Sequence, residues 1–179
     1  EKQSLRYGEN PHQAAIWYQS GPAGWGTATQ LQGKELSYNN LVDLEAARQI
    51  IAEFMSPTDD PAAAILKHNN PCGVAQAATL VIAYQKAFDA DSTSAFGGIV
   101  ALNRPIDAAT AQALTQTFLE CVVAPACEPE AAAILQAKGK VRVMILPDLQ
   151  SGPAVTRKTI AGGFLAQASD EVLTPPADW

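Results

Sequence analysis

Apolar positions in the middle of the chain alternate between a helical and an extended rhythm. Leu41, Leu44, Ala47, Ile51 and Phe54 recur at helical spacing, with Asn40 available as an N-cap. Ser56-Pro57-Thr58-Asp59-Asp60-Pro61 breaks that pattern. Ala62-Ala63-Ala64-Ile65-Leu66 then reads, with Lys67, as a buried strand over 62–67, ended by a loop at 68–73. A second helix is predicted over roughly 78–89, with Leu80, Tyr84 and Phe88 on one face. Ser94–Leu102 is a turn entering a strand. Asp107 caps a third helix through about Glu120, its inward positions being Ala111, Leu114 and Phe118. Cys121–Ala124 is a short strand, Pro129 and Gly139 bracket a fourth helix, and Val141, Val143 and Ile145 alternate as a last strand.

Strands separated by helices argue for an α/β layer with a largely parallel sheet. Right-handed crossovers would bring the loops at 68–73 and 94–98 to related edges, and ligands of open α/β sheets bind at the carboxyl ends of strands. Residues 1–40 differ: rich in Gly, Pro, Gln and Tyr, they read as an arm of strands and turns wrapping a sheet edge. The core is expected over 41–146, and 147–179 as a loop and the start of a connection, with 147–163 a linker. The chain opens on Glu1 and ends on Thr174-Pro175-Pro176-Ala177-Asp178-Trp179, so both ends look cut and a longer polypeptide is expected.

The net charge of −6 and pI of about 4.8 speak against nucleic acid, where phosphate neutralisation dominates affinity. An anionic ligand would have to be held by a few placed groups. No apolar run is long enough for a transmembrane helix, so no membrane association is expected. Three cysteines without framework spacing predict a reduced, cytoplasmic setting.

Chemistry concentrates in four strings. Lys67-His68 sets a cation beside an imidazole where a strand stops, an arrangement suited to proton transfer next to a developing negative charge. A lone Lys-His pair reads more readily as a polar turn; Asn69 and Asn70 add hydrogen-bonding groups, and Pro71 and Gly73 fix the backbone. Leu5-Arg6-Tyr7-Gly8-Glu9-Asn10-Pro11-His12-Gln13 offers Arg6 to a phosphate or carboxylate and Tyr7 to a heterocycle, or is simply an ordered arm. Phe96-Gly97-Gly98 suits close approach of the backbone to a ligand, or is a tight turn. Gly33–Asn40 leads into a helix whose N-terminus could attract an anion, ordinary capping being the alternative. There is no dinucleotide fingerprint, Walker A string or nucleophile elbow. Cys72, Cys121 and Cys127 lack metal-site spacing, so no metal is expected.

Taken in order, Leu5–Gln13, Lys34–Asn40, Ile65–Gly73, Asp91–Gly98, Val122-Val123-Ala124-Pro125 and Ile160–Leu165 resemble the transformylase domain of the AICAR transformylase/IMP cyclohydrolase family across almost the whole chain. The resemblance implies a cytidine-deaminase-like α-β-α subdomain, the first of two in that domain, with the cyclohydrolase domain expected before residue 1. It implies formyl transfer from 10-formyltetrahydrofolate to AICAR in purine (IMP) biosynthesis, in a homodimeric, bifunctional cytoplasmic enzyme. The family's catalytic pair falls on Lys67 and His68. Substrate contacts fall on Arg6, Tyr7, Asn69, Phe96, Gly97, Gly98 and Glu120. Zinc deaminases use H-x-E and P-C-x-x-C; His68-Asn69-Asn70 and Pro71-Cys72-Gly73 depart from both, so the scaffold is expected to carry no metal. This stretch is expected to be inactive alone. The competing reading is a non-catalytic nucleotide-binding or assembly module on the same scaffold; a third is a hydrolase using Cys72 and a metal.

Overall fold

A computed structural model describes residues 2–170. The described elements are β1 Gln3–Leu5, β2 Ala15–Trp17, β3 Thr29–Gln32, α1 Tyr38–Ala52, β4 Ala62–Lys67, β5 Asn70–Gln76, α2 Leu80–Ala90, α3 Ser92–Ala95, β6 Gly98–Leu102, α4 Ala108–Leu114, β7 Leu119–Ala124, α5 Pro129–Leu135, β8 Arg142–Ile145, β9 Val155–Ile160 and β10 Gly163–Ala168. The expected connection after residue 170 lies outside the described residues.

Six strands form one sheet in the order β3-β8-β7-β6-β4-β5. The sheet is mixed, which corrects the expectation of a mostly parallel one: β6–β7 and β7–β8 are parallel, while β3–β8, β4–β5 and β4–β6 are antiparallel. The cause is β5, which occupies residues expected to be loop. It returns antiparallel beside β4, so the crossover through α2 joins β5 to β6, and β4 lies reversed between them. Pro71 gave the segment its loop-like look; β5 is an edge strand, where a missing N–H is tolerated.

The strands alternate between two cores, with one break in β7 between Leu119 and Cys121. Ala63, Ile65, Val100, Leu102, Val122, Ala124 and Val143 face a cluster with Leu80, Tyr84 and Ala87 of α2, Ala111 and Leu114 of α4 and Ala131 of α5. Ala62, Ala64, Leu66, Ile99, Ala101, Cys121, Val123 and Met144 face the other cluster, with Leu44, Ala47 and Ile51 of α1. Helices on both faces of the sheet make three layers. Gly73 of β5 permits close packing on α2: a Cβ there would lie 1.9 Å from the Ala87 carbonyl oxygen.

Local signals were shifted in places. Ser37, not Asn40, is the N-cap of α1; its hydroxyl accepts from the Asn40 N–H, while the Asn40 side chain accepts from the Ser37 N–H, completing a capping box. Asp107 does cap α4, accepting from the Thr110 N–H at 2.7 Å, but the helix ends at Leu114 and Glu120 belongs to β7. Within the first 40 residues, β1 pairs with β2, and β3 is an edge strand of the main sheet. The expected linker at 147–163 contains β9, which pairs with β10 as a hairpin exposed along both strands.

Candidate active site

One edge of the sheet gathers the predicted residues. Because β4 runs against β6, the carboxyl end of β4 meets the amino ends of β6, β7 and β8. The site therefore lies at the amino ends of the parallel strands, opposite to the expected edge. Only Lys67, last in β4, stands at a strand's carboxyl end.

β4 and β5 are joined by the two-residue turn His68-Asn69, with φ of 50° and 64°. Two successive non-glycine residues in the left-handed region are uncommon, although His and Asn are enriched there. The Asn70 side-chain amide donates to the His68 carbonyl at 2.7 Å, and the Asn69 N–H donates to Asp43 Oδ1 on α1 at 2.9 Å. Burial pushes the Asp43 carboxyl up; the Asn69 amide and the charge of His68 partly oppose this.

Lys67 Nζ donates to the carbonyl of Phe96. Gly97 follows with φ +70°, and a Cβ there would lie 3.2 Å from Lys67 Nζ and 3.4 Å from the Phe118 ring. The Gly97 N–H donates to the Phe118 carbonyl at 2.8 Å, and the Phe96 and Phe118 rings lie 5.5 Å apart. Gly97 is thus required both by its backbone and by the lysine beside it.

Lys67, His68, Phe96, Gly97 and Glu120 line one cavity of about 360 Å³, together with Asn39, Asn40, Asp43 and Phe118. Arg6 and Tyr7 line an adjoining cavity of about 270 Å³ with Lys34, Lys140 and Arg142; Asn39, Asn40, Phe118 and Glu120 border both. The arm is pinned there by its backbone: the Arg6 N–H donates to Leu36 and the Tyr38 N–H to Tyr7, at 2.8 and 2.9 Å. The Arg6 guanidinium lies over the Tyr7 ring at 5.4 Å. Asn69 faces a third cavity of about 220 Å³, shared with Glu9, Asp43 and His68. Gly98 is the exception among the predicted residues. It is buried at the start of β6, where a Cβ would lie 2.9 Å from the carbonyl oxygens of Ala95 and Leu66, so close packing requires glycine there.

Sequence reasoning missed Asp43, Phe118 and Arg142. Arg142 is 5% exposed; its Nε donates to the Glu35 carbonyl and its Nη1 to Glu120 Oε2, both at 2.9 Å. An Arg inside an otherwise apolar strand was the available signal. Cys72 offers little as a nucleophile, since burial and the nearby Asp91 push its thiol up. Among the described residues, no group of three or more His, Cys, Asp or Glu is placed to hold a metal. A slightly larger cavity of about 400 Å³ lies by Trp17, Trp25 and Gly152. Its carboxylate, Glu45, already accepts from Arg48, Trp25 and Gln49.

The sequence profile described as AICARFT/IMPCHase bienzyme matches residues 1–179. The chain belongs to this family. It is 72% identical over 180 residues to the bifunctional purine biosynthesis protein PurH of Acaryochloris marina, covering 99% of this chain and 34% of that protein. Against PurH of Gloeothece citriformis it is 70% identical over 181 residues, covering 100% of the chain and 35% of the relative. The chain thus spans about a third of the length of these curated relatives. Among solved structures, Acinetobacter baumannii RibD aligns with a TM-score of 0.43 at 17% identity, over 57% of this chain and 35% of that one. A dCMP deaminase from cyanophage S-TIM5 aligns with a TM-score of 0.43 at 11% identity, over 58% and 95%. The PurH relatives are named as bifunctional purine biosynthesis proteins. No helix among the described residues is long and apolar enough to cross a membrane.

Proposed function

We propose that this chain supplies the Lys-His half of a formyl-transfer site, moving the formyl group of 10-formyltetrahydrofolate to the 5-amino group of AICAR. The observation that carries the reading is the common cavity of Lys67, His68, Gly97 and Glu120, beside a second cavity walled by Arg6, Lys34, Lys140 and Arg142. In an acidic chain, that cationic cluster suits the phosphate of a ribonucleotide, and Tyr7 suits contact with its ring or sugar. AICAR's amine is conjugated with its ring and carboxamide, and is a weak nucleophile. As its nitrogen bonds to the formyl carbon, His68 takes the amine proton. Lys67 stabilises the oxyanion of the tetrahedral intermediate. Collapse breaks the bond between the formyl carbon and the folate nitrogen, which leaves with a proton as tetrahydrofolate. Holding both reactants at near-attack distance supplies a further part of the rate.

Residues Asn69, Phe96 and Gly97 shape the acceptor's pocket in this reading. We assign the complete reaction to a polypeptide of the relatives' length, acting as a cytoplasmic homodimer with folate contacts outside this stretch. The test is formyl transfer by that polypeptide and by its His68→Ala variant. Turnover should fall about 100-fold or more. A fall of only a few-fold would remove His68 from the proton transfer. AICAR binding without turnover in the unmutated protein would turn the reading to a nucleotide-binding module.

A further inference from the structure

The turn carrying His68 is held in an uncommon conformation by two side chains, Asn70 from within the hairpin and Asp43 from outside it. His68 and Asn69 both have positive φ, and neither is glycine. Asn70 ties the His68 carbonyl to β5 within the hairpin; among the described hydrogen bonds, Asn69 N–H to Asp43 Oδ1 at 2.9 Å is the one tying these two residues to an element outside the hairpin. Asp43 stands on α1, whose first turn is locked by the Ser37–Asn40 capping box, so the acceptor comes from a fixed support. The same residue borders both cavities that His68 borders: one with Lys67 and Glu120, the other with Glu9 and Asn69. The Cβ of a non-glycine residue disfavours the left-handed region, so a turn without this acceptor relaxes toward ordinary φ and swings the imidazole away from Lys67.

We propose that Asp43 is a positioning residue: its carboxylate holds the Lys67–Asn70 turn in the conformation that presents His68 to the cavity shared with Lys67. The proposal rests on the formyl-transfer reading for its kinetic consequences, but the geometry can be tested without it. Asp43→Ala removes the acceptor, and Asp43→Asn keeps an oxygen in reach of the Asn69 N–H. Both are made in the polypeptide of the relatives' length and assayed for formyl transfer from 10-formyltetrahydrofolate to AICAR. Hydrogen exchange of the Asn69 amide is followed in parallel.

For Asp43→Ala, kcat should fall about 10-fold or more, the scale of a small misplacement of a reacting group, with the KM for AICAR changed less than about threefold. Asn69 amide protection should fall with it. Asp43→Asn should recover most of both. Adding Asn69→Gly to Asp43→Ala, which removes the steric cost of positive φ at that residue, should restore part of kcat. Unchanged kcat in Asp43→Ala, lost kcat with unchanged Asn69 exchange, or an Asn variant no better than the Ala variant would each overturn the proposal. Should Asp43→Ala fail to fold, the Asn variant decides: it must keep Asn69 protection and most of kcat. If the unmutated protein shows no formyl transfer, the functional reading fails, and Asn69 exchange alone still decides the role of Asp43.

Discussion

Two hairpins of this protein turn in two residues, and they solve the turn differently. The β9–β10 hairpin pairs Ile160 with Gly163, and the positive φ of its turn, 77°, falls on Gly162, around which an added Cβ would meet nothing within 4 Å. The β4–β5 hairpin pairs Lys67 with Asn70 and places positive φ on His68 and Asn69. Glycine would serve the backbone at both. Of the two, only the hairpin at the sheet edge keeps polar side chains where glycine is easier, and only there does a carboxylate from another element brace the turn. Backbone strain of this kind persists where the surroundings over-determine it, and it clusters at functional sites.

The sharpest way to break the comparison is His68→Gly. It converts the first hairpin toward the second, so turnover should fall about 100-fold or more. Unfolding free energy should stay level or rise by up to about 1 kcal/mol, because glycine adopts left-handed φ without steric cost. Denaturant unfolding beside the formyl-transfer assay reads both; parallel losses of stability and turnover would show that His68 also holds the turn.

Next come the glycines. Gly97→Ala and Gly162→Ala both force alanine into the left-handed region, at a cost of about 1 kcal/mol each. At Gly97 the new Cβ also presses on Lys67 Nζ and Phe118, so turnover should fall about 10-fold. Gly162→Ala should leave turnover within about twofold, since open space surrounds it. Equal kinetic effects would show that Lys67 has room to adjust.

The smallest effect is on pH dependence. Burial pushes the Asp43 carboxyl above its ordinary value. A carboxyl raised in the folded state favours folding when protonated, and that contribution is lost as pH rises through its folded value. Asp43→Asn does not ionise, so its melting temperature should gain on the unmutated protein between about pH 4 and pH 7. A gap that shrinks over that range would mean that Asn69 and His68 stabilise the carboxylate more than burial penalises it.

Much of this was legible in the chain. Leu44, Ala47 and Ile51 mark the buried face of α1, and Leu80 and Tyr84 that of α2, as their spacing predicts. The strings holding Arg6, Tyr7, Lys67, His68, Phe96, Gly97 and Glu120 stand out in the sequence, and the fold brings these residues to adjoining cavities. Gly98 lines none of the cavities described above; in sequence, a glycine required by packing looks the same as one required by a ligand. Glu120 was read at a helix end because Phe118 continues the helical spacing of α4 past its actual stop at Leu114.

The sequence by itself determined the apolar alternation that builds two cores, the caps and breaks that delimit most helices, and the residue types available for proton transfer and anion binding. Tertiary structure decided which way the strands run and which edge holds the site. Buried strands have the same composition whether parallel or antiparallel, so β5, disguised by Asn70 and Pro71, reversed the relation of β4 to β6 without any local signal. Asp43 and Arg142 acquired their partners the same way. Asn69 is 26 residues from Asp43 and Glu120 is 22 from Arg142, separations that only packing across elements can close.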